Sequence, residues 1–495
     1  MSCKGECVAM TLRPNVIFIV LDALRSMNLS IYGYNQATSP TLENLSRLGV
    51  VFLNAYSTTD QTDPSFTSML SGRYPLVHGI IRHGFDLSRE HLAIFNATQT
   101  KLLPEFLAEN GYITIGIDWL GRWHRRGFNI YGPASLFVSK RMLGRIPKSS
   151  SIILKILTHA TDWDTYLSLY KLFRSLGYCY DHISFCIVDA AMNLIKKHVL
   201  PKKKPFFILM HLWDTHTPFY DIPKFLLKEF YDGTCKETIH EMVKRIKNEE
   251  WRKLTLKYHL KGIKCVDQVE PYYNAAIKHA DRAIGKLVEF LKDHKLFDDT
   301  IIIITGDHGD NLIRDNIFIG HGGLFQRVIK IPLIMLGLGI PQNRKVTIPV
   351  QHVDIVPTLL DIIGIKIPKG YYMDGYSMLE IFETDSFKRN FVFVTSSTAR
   401  KRYALIEDSI KFVYSPTLYD AMDKFGGIWF RDVKELYDLN KDQDDVVNIV
   451  NEYPDIAREM EKKISDIVTK LIRIRTKLMI SSVISTRIRL SEHNL

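Results

Sequence analysis

The apolar residues of the chain fall into short uninterrupted runs that alternate with longer segments of helical spacing. The run Val16–Leu21 holds only β-branched, aromatic and leucine side chains, which is typical of a strand buried on both faces of a parallel sheet. The pattern recurs at Phe206–Leu212, Thr300–Thr305 and Ile331–Leu336. Helical spacing is seen at Thr41–Leu48, Leu103–Asn110, Ile183–His198 and Tyr273–His294. This alternation predicts an α/β sandwich with a mainly parallel central sheet flanked by helices.

The composition of the chain changes near Lys369–Gly375, where glycine, proline and tyrosine cluster. Short strand-like pieces follow, and then a charged helix: Phe391–Thr395, Arg402–Ile406, Ser409–Tyr414 and Asp455–Leu478. We therefore predict a large domain over residues 1–380 and a smaller C-terminal α+β domain over 381–495 with a basic terminal helix. Residues 225–265 are rich in Lys and Glu at helical spacing, which predicts a solvated helical insertion in the large domain.

The composition and net charge of the chain indicate which classes of partner and which cellular compartment to expect. Its 495 residues are 46% hydrophobic and carry a formal net charge of +11, which favours anionic partners. The basic residues show no pattern of a nucleic-acid-reading module, so specific nucleic-acid recognition is not expected. The six cysteines form no disulfide framework and no zinc spacing, so we expect reduced thiols and a cytoplasmic protein. Val16–Leu21 is too short for a signal peptide or a membrane span, and no transmembrane helix is expected.

Side chains that bind metals or act as nucleophiles follow the predicted strands and turns. They lie in four segments: Leu21–Arg25, Thr62–Gly72, His211–Phe219, and Thr305–Asp310 with Gly320–Gly323 shortly after it. Open α/β sheets form their ligand crevice at the carboxyl ends of their strands. We therefore expect these four segments to meet at one edge of the sheet.

The donor atoms in these segments indicate a divalent metal. Carboxylate oxygen with imidazole nitrogen suits Zn²⁺ or Mn²⁺ better than an all-oxygen calcium cage, although Ca²⁺ or Mg²⁺ is also possible. A metal that touches the hydroxyl of Thr62 would lower the pKa of that hydroxyl, and the helix that follows Thr62 would present its N-terminus to an anion. The glycines that flank Asp307-His308 indicate a turn that lets both side chains reach one ion.

The chain resembles the sulfatase branch of the alkaline-phosphatase superfamily over most of its length. Beside the four segments, the matching motifs are Tyr32-Gly33-Tyr34, Ser39-Pro40-Thr41-Leu42, Phe52-x-Asn54-Ala55-Tyr56, Gly111-Tyr112-x-Thr114, His321–Phe325, Lys330–Ile334, His352–Leu360 and Glu435–Leu439. Their order and spacing together carry the resemblance. It implies the sandwich fold of that superfamily and metal-dependent hydrolysis of an anionic ester.

Carried over residue by residue, the resemblance implies a primary metal site and a second group of ligands. The primary site would consist of Asp22, Thr62, Asp307 and His308, with Thr62 as the catalytic nucleophile. A further group, in which His216 is also a candidate catalytic residue, would face the substrate or hold a second ion: His216, His321 and, as a further candidate, Asp214. Two ions would clamp the attacking and leaving oxygens in an in-line displacement. Asp214 could instead cap a turn or orient a neighbouring histidine.

Three further residues are candidates for substrate binding. The stretch Gly121-Arg122-Trp123-His124 is similar to a Gly-Lys-Trp-His stretch of the family that grips the anion, so Arg122 and His124 would bind substrate. Arg25 could also bind substrate, or could be an ordinary surface charge. We interpret His211 and His352 as core histidines, and neither is assigned to the site.

The chain departs from true sulfatases at the nucleophile. Thr62 occupies the position of the cysteine or serine that becomes formylglycine, Phe66 occupies that of the arginine four residues later in the Cys/Ser-x-Pro-x-Arg pattern, and Ala23 replaces a second aspartate. A formylglycine hydrate releases sulfate by breaking its own C–O bond, whereas a threonine ester must be resolved by attack at phosphorus or sulfur. Metal-assisted attack on a phosphoryl group suits this requirement best.

We therefore predict a phosphodiesterase-like hydrolase of phosphate or phosphonate esters that works through a covalent Thr62 intermediate. The substrate would be an anionic ester of a small molecule, a glycan or a lipid. The alternatives are a sulfatase without formylglycine, a transferase that passes the phosphoryl group to another alcohol, and a non-catalytic relative that binds anionic ligands.

Overall fold

The computed structural model describes residues 13–138, 156–157, 159–175, 183–219, 222–313, 319–423, 425 and 428–492. The strands are β1 (Asn15–Leu21), β2 (Gly49–Tyr56), β3 (Ile113–Ile117), β4 (Ile130–Gly132), β5 (Phe206–Leu212), β6 (Thr300–Gly306), β7 (Lys330–Leu336), β8 (Arg344–Val346), β9 (Val350–Gln351), β10 (Phe391–Thr395), β11 (Tyr403–Glu407), β12 (Ile410–Tyr414) and β13 (Lys434–Asp438).

The helices of the described residues surround these strands. They are α1 (Pro40–Ser46), α2 (Thr62–Ser71), α3 (Pro75–His78), α4 (Arg89–Ala97), α5 (Leu103–Glu109), α6 (Ala134–Val138), α7 (Trp163–Ser175), α8 (Ser184–Leu194), α9 (Lys224–Leu227), α10 (Ile239–Val243), α11 (Glu249–Leu254), α12 (Val269–Asp293), α13 (Gln326–Ile329), α14 (Ile355–Ile362), α15 (Leu379–Thr384), α16 (Leu418–Ala421) and α17 (Pro454–Glu492). Among the described residues, none of these helices is both long and apolar enough to cross a membrane.

The strands form two sheets. The larger sheet has nine strands in the order β4-β3-β5-β1-β6-β7-β2-β8, and β9 pairs with β2. Only β7 of the described strands in this sheet runs against the others, since it pairs antiparallel with both β6 and β2. The smaller sheet is antiparallel in the order β10-β11-β12-β13. A mostly parallel sheet flanked by helices, with a small antiparallel sheet near the C-terminus, confirms the predicted fold class.

The centre of the large sheet is buried on both faces, because successive side chains of a strand point to opposite sides. The side chains of β1 divide between two apolar layers, with Ile17, Ile19 and Leu21 in one and Val16, Phe18 and Val20 in the other. Helices α8 and α12 supply the first layer, and α2, α5 and α14 supply the second. This double burial is the reason that the run Val16–Leu21 has no polar alternation.

The segment predicted as a helical insertion contains three short helices, α9, α10 and α11, followed by a π-helical turn at Thr255–His259. A disulfide between Cys235 and Cys265 closes most of it into a loop. The expectation of reduced cysteines is therefore wrong for this pair, because cysteines 30 residues apart in sequence meet only in the folded chain. Cytoplasmic location stays a prediction, and the cysteines of the chain no longer support it. The 380/381 domain boundary also stays a prediction.

A buried ion pair joins the small sheet to the loop that precedes β7. Lys411 of β12 donates to the carboxylate of Asp445 and to the carbonyl of Leu324, while Asp445 also accepts from the backbone N–H of Gln326 at 2.9 Å. Both charged side chains are fully buried. Removing one partner would leave an uncompensated charge without water.

We expect Lys411→Met to lower the free energy of unfolding by about 3–5 kcal/mol, because Asp445 would lose its buried counter-ion. Lys441→Met is the matched control, since Lys441 pairs with Asp438 at the surface, and we expect it to change stability by less than ~1 kcal/mol. Urea denaturation followed by circular dichroism measures both. Equal losses for the two variants would contradict the assigned role of the buried pair.

Candidate active site

Four adjacent parallel strands bring polar residues to one edge of the large sheet. In the order β3, β5, β1 and β6, the strands are paired in register, so that Leu21 lies between Leu212 and Gly306. The polar residues at these strand ends are Asp118 after β3, His211 within the end of β5, Asp22 after β1, and Asp307 with His308 after β6. The crevice at the carboxyl ends of the strands, expected from the fold, is therefore lined by carboxylates and imidazoles.

Three of these residues form a compact group of possible metal ligands. One donor atom each from Asp22, Asp307 and His308 lies within 4.8 Å of the others, and all three residues are buried. Oδ1 of Asp22 and Oδ2 of Asp307 accept no hydrogen bond from the described part of the chain. Buried carboxylate oxygens without donors are costly unless a cation neutralises them. The donor set of two carboxylates and one imidazole fits a divalent cation such as Zn²⁺ or Mn²⁺.

The imidazole of His308 is oriented for this role. Its Nδ1 lies 2.8 Å from the carbonyl oxygen of Gly309, which can only accept, so we assign the proton to Nδ1. Nε2 then carries the lone pair, and it lies 3.3 Å from Asp307 Oδ2 and 3.9 Å from Asp22 Oδ1. The backbone carbonyl thus fixes the tautomer that a metal-binding histidine requires.

The hydroxyl of Thr62 lies beside the same group. Thr62 is the first residue of α2, it is buried, and its Oγ1 lies 3.2 Å from His308 Nε2. The next turn of α2 is held to the sheet edge by Ser65, whose hydroxyl donates to the carbonyl of Asp307 at 2.6 Å. A hydroxyl at a helix N-terminus beside a cation site is in position to become a nucleophile toward a bound anion.

Two further histidines complete the face opposite the carboxylates. His321 donates from Nδ1 to the carbonyl of Asp60 at 2.8 Å, and His216 donates from Nδ1 to the carbonyl of Thr217 at 2.6 Å. The ring of His321 stacks on that of His308 with centroids 4.3 Å apart, and the ring of His216 lies 5.7 Å from that of His321. All three rings therefore carry Nδ1–H against a carbonyl, which leaves each Nε2 free to bind a cation or carry a proton.

The loop that carries His321 is held by its neighbours rather than by regular structure. Asp60 accepts from the N–H of Gly323 at 3.0 Å, and it also accepts from Ser397 N–H at 2.6 Å. A side chain at Gly322 would place its Cβ 2.1 Å from the ring of Trp429. Glycine is therefore required at that position, where the loop lies directly on the indole.

The charges of the group depend on one another. Burial raises the pKa of Asp307, and the negative charge of Asp22 raises it further, well above its usual range. Burial also acts to raise the pKa of Asp22, but His216 and then His211 outweigh it and lower that pKa below its usual value. Two adjacent buried carboxylates cannot both ionise easily without added positive charge. A divalent cation would allow both to ionise, which agrees with their unfilled oxygens.

His211 lies between two carboxylates and supplies part of that positive charge. Its Nδ1 lies 2.9 Å from Asp118 Oδ1, and its Nε2 lies 3.2 Å from Asp22 Oδ2. Burial alone would lower its pKa, but the hydrogen bonds to Asp118 and Asp22 raise it to about 10. The interpretation of His211 as a core histidine captured its burial, but not its contact with the candidate ligand Asp22, because the two residues are 189 positions apart in the sequence.

A second polar group surrounds Asp63, the residue after Thr62. Its carboxylate lies 2.5 Å from Arg122 Nη2 and 2.9 Å from His83 Nδ1, with His124 Nδ1 at 3.8 Å. The predicted substrate-binding residues Arg122 and His124 are thus brought to the N-terminus of α2, next to the nucleophile turn. Sequence reasoning missed Asp63 and His83, and the acidic position inside the turn was the one signal available.

Two predicted residues are placed elsewhere. Both oxygens of Asp214 are engaged away from the metal group, one with His279 Nδ1 at 2.5 Å and the other with Ser184 N–H at 3.0 Å. Arg25 is buried with its guanidinium 5.9 Å from the ring of Tyr273 and beside the sulfur of Met27. Asp214 therefore lies away from the metal group and contacts the imidazole of His279. Within the described residues, Arg25 forms no hydrogen bond or ion pair with Asp22, Asp307 or His308.

A mostly parallel sheet with carboxylates and histidines at its strand ends agrees with the alkaline-phosphatase superfamily, as the resemblance implied. A family model described as Sulfatase matches residues 14–365, and one described as N-sulphoglucosamine sulphohydrolase, C-terminal, matches residues 321–470. The chain belongs to the sulfatase family. It is a hydrolase acting on ester bonds, and its family and relatives indicate the sulfuric ester type.

Similar proteins span most of the chain. An arylsulfatase of Clostridium perfringens is 23% identical over 470 residues, which cover 89% of this chain and 91% of the relative. Arylsulfatase K of Canis lupus familiaris is 24% identical over 493 residues, covering 92% and 82% respectively. The crystal structure of the phosphonate monoester hydrolase of Agrobacterium radiobacter superposes with a TM-score of 0.66 at 18% identity, covering 93% of this chain and 96% of that chain.

A further solved structure, Ps i-CgsB in complex with k-i-k-neocarrahexaose, superposes with a TM-score of 0.60 at 20% identity and covers 91% of this chain and 93% of that chain. At these identities the structural likeness establishes the fold alone. The assignment of individual site residues stays a prediction.

We expect Asp307→Asn and His308→Gln to weaken binding of Zn²⁺ or Mn²⁺ by on the order of 100-fold, because each removes one donor of the group. Asp189→Asn is the matched control, because Asp189 is also a buried carboxylate but its oxygens contact Tyr170 and Lys286 instead, and its metal affinity should stay within about threefold of wild type. Isothermal titration calorimetry of the metal-stripped proteins measures both. Equal weakening in Asp189→Asn would contradict the ligand set.

Proposed function

We propose that the protein is a metal-dependent ester hydrolase in which Thr62 attacks the phosphorus of a phosphate or phosphonate ester. The observation that carries this proposal is the position of the Thr62 hydroxyl, 3.2 Å from His308 Nε2 and beside the unfilled oxygens of Asp22 and Asp307. Few roles other than catalysis would account for a hydroxyl, two carboxylates and three like-oriented imidazoles that lie together in a buried site.

Asp22, Asp307 and His308 would hold the cation, and Thr62 would meet it through Oγ1. When bound, the cation supplies positive charge that lowers the pKa of the Thr62 hydroxyl and stabilises the charge of the phosphoryl group. His321 Nε2 faces the same space and would bind the anion or a second ion. The N-terminus of α2, with Arg122 at Asp63, adds positive potential beside the nucleophile.

In this proposal His216 moves the proton of the leaving group. Its Nδ1–H is committed to the Thr217 carbonyl at 2.6 Å, so a proton is gained or lost at Nε2. In the first step the Thr62 Oγ–P bond forms and the bond from phosphorus to the leaving oxygen breaks. The leaving oxygen takes the proton from His216 Nε2, and the hydroxyl proton of Thr62 goes to solvent.

In the second step a water molecule attacks the phosphorus of the phospho-Thr62 intermediate. His216 Nε2 takes a proton from that water, the Oγ–P bond breaks, and Thr62 recovers its proton from solvent. A phosphothreonine ester can be hydrolysed only by attack at phosphorus, since Thr62 has no second hydroxyl on its side-chain carbon with which to expel the phosphoryl group. Metal-assisted attack at phosphorus meets this need, and this is the reason that the proposal favours phosphoryl over sulfuryl transfer.

Sulfate ester hydrolysis is the second candidate function, and the family and its arylsulfatase members favour it at least as strongly. In that case Thr62 would carry a sulfuryl group through the same two steps. The solved relative that binds a neocarrahexaose supports a glycan ester as one substrate class for either function. The net charge of +11 agrees with an anionic substrate.

We expect Thr62→Val to lower kcat/KM by a factor of about 1,000 or more, because it removes the attacking oxygen while keeping the shape of the side chain. Thr58→Val is the matched control. Thr58 is also fully buried, and its Oγ1 forms no hydrogen bond within the described residues, so activity should be nearly unchanged.

The assay compares p-nitrophenyl phosphate, bis-p-nitrophenyl phosphate and p-nitrophenyl sulfate with Zn²⁺, Mn²⁺ or Ca²⁺. High-resolution mass spectrometry of the quenched wild-type protein then identifies a phosphoryl or sulfuryl group on the Thr62 peptide. Turnover of the sulfate ester alone would select the second candidate. Full activity of Thr62→Val would refute the role of Thr62 as the nucleophile. If the wild-type protein turns over none of the three esters, the result would favour a binding protein.

We expect His216→Gln to slow cleavage of an alkyl ester by about 100- to 10,000-fold, and to slow cleavage of the nitrophenyl ester much less. The reason is that an alkoxide needs a proton to leave, whereas nitrophenolate does not. Measurement of kcat for both esters decides the point. If His216 is instead a metal ligand, both rates will fall together and metal affinity will fall with them.

A further inference from the structure

A series of aromatic rings runs from the buried metal group to the surface. His308 stacks on His321 at 4.3 Å, and His216 lies 5.7 Å beyond His321. Trp213 stacks on His216 with centroids 4.9 Å apart, and Trp119 meets Trp213 edge to face at 4.6 Å. The first of these rings is fully buried, while 40% of Trp119 is exposed. The series therefore links the buried group to a ring that is partly exposed at the surface.

The backbone around Trp119 is fixed before any ligand binds. Trp119 follows Asp118 at the end of β3, where the Asp118 carboxylate accepts from Leu120 N–H at 3.2 Å. Two residues later, Gly121 N–H donates to the hydroxyl of Tyr131 at 3.0 Å. The indole also lies nearly parallel to His211, with centroids 6.5 Å apart. A ring held in this way loses little conformational entropy when a second ring packs on it.

An exposed tryptophan beside a polar crevice can bind a flat apolar part of a ligand. Its face is apolar and flat, and it gains free energy when a flat apolar surface covers it. The phosphoryl or sulfuryl group of the substrate would occupy the space near Thr62 and the three histidines. The alcohol part of the ester would then extend along Trp213 toward Trp119. Aryl rings and the C–H face of a pyranose both present the flat surface that fits there.

We propose that Trp119 is a specificity-determining residue that stacks on a ring in the alcohol portion of the ester substrate. This inference rests on the proposed function, because it needs the anion to be bound at the metal group. It adds to that function a residue that would discriminate between esters with and without a ring in the alcohol portion. Esters of simple alkyl alcohols would bind without this contact.

The test measures binding and so does not depend on turnover. Calorimetric titration of the zinc-loaded protein with benzylphosphonate, propylphosphonate and glucose 6-sulfate gives a Kd for each. We expect the wild-type protein to bind benzylphosphonate at least 5-fold more tightly than propylphosphonate. Trp119→Ala should weaken benzylphosphonate binding by about 5- to 30-fold and change propylphosphonate binding by less than about twofold. Trp119→Phe should keep most of the preference.

Tyr419→Ala is the control, because Tyr419 is an aromatic residue of α16 that is 65% exposed and has no part in the ring series. Weakening of glucose 6-sulfate binding in Trp119→Ala would assign the contact to sugar rings as well as aryl rings. Equal affinity of wild type for benzyl- and propylphosphonate, or an unchanged preference in Trp119→Ala, would overturn the proposal. Neither outcome bears on Thr62, whose failure as the nucleophile is detected separately in Thr62→Val.

Discussion

The site depends on one electrostatic constraint, the proximity of two buried carboxylates. Asp22 and Asp307 follow neighbouring parallel strands that are paired in register, so their side chains are brought together wherever β1 and β6 form. In the absence of water, like charges at this separation raise the pKa of one partner strongly. A cation would resolve the conflict, and the neighbouring imidazole agrees with that solution. The unfilled oxygens of Asp307 and Asp22 lie 3.3 and 3.9 Å from Nε2 of His308, whose Nδ1 proton is committed to the carbonyl of Gly309.

The residues that lie behind the candidate ligands set their geometry. His211 balances the charge of Asp22 and is itself held by Asp118. Asp214 contacts His279 and Ser184, and thereby ties the loop of His216 to α12 and α8. These supporting contacts come from elements far apart in the sequence. The candidate histidines of the site are thus placed on short loops whose anchoring residues lie in rigid helices and strands.

The region after residue 390 also contributes to the site. Asp60 accepts hydrogen bonds from Ser396, Ser397 and Thr398 as well as from Gly323, while its carbonyl holds His321. The buried pair of Lys411 and Asp445 also contacts the chain just after His321, through the carbonyl of Leu324 and the N–H of Gln326. A fold with the large sheet alone would leave the loop of His321 without these partners. The small sheet is therefore part of what positions the histidine.

The sequence by itself determined most of the strands and helices and named the candidate residues of the site. Uninterrupted apolar runs predicted buried parallel strands, and the polar residues directly after them predicted which side chains meet at the sheet edge. The direction of β7 could not be predicted, because its apolar run is the same for a parallel or an antiparallel strand. Tertiary structure decided the roles that depend on long-range contacts. It brought His211 to Asp22, turned Asp214 toward His279, placed Arg25 against Tyr273, and paired Cys235 with Cys265. The pattern of strands and helices follows from neighbouring residues, whereas the order of the strands and the direction of a side chain in a loop depend on partners that the sequence pattern does not specify.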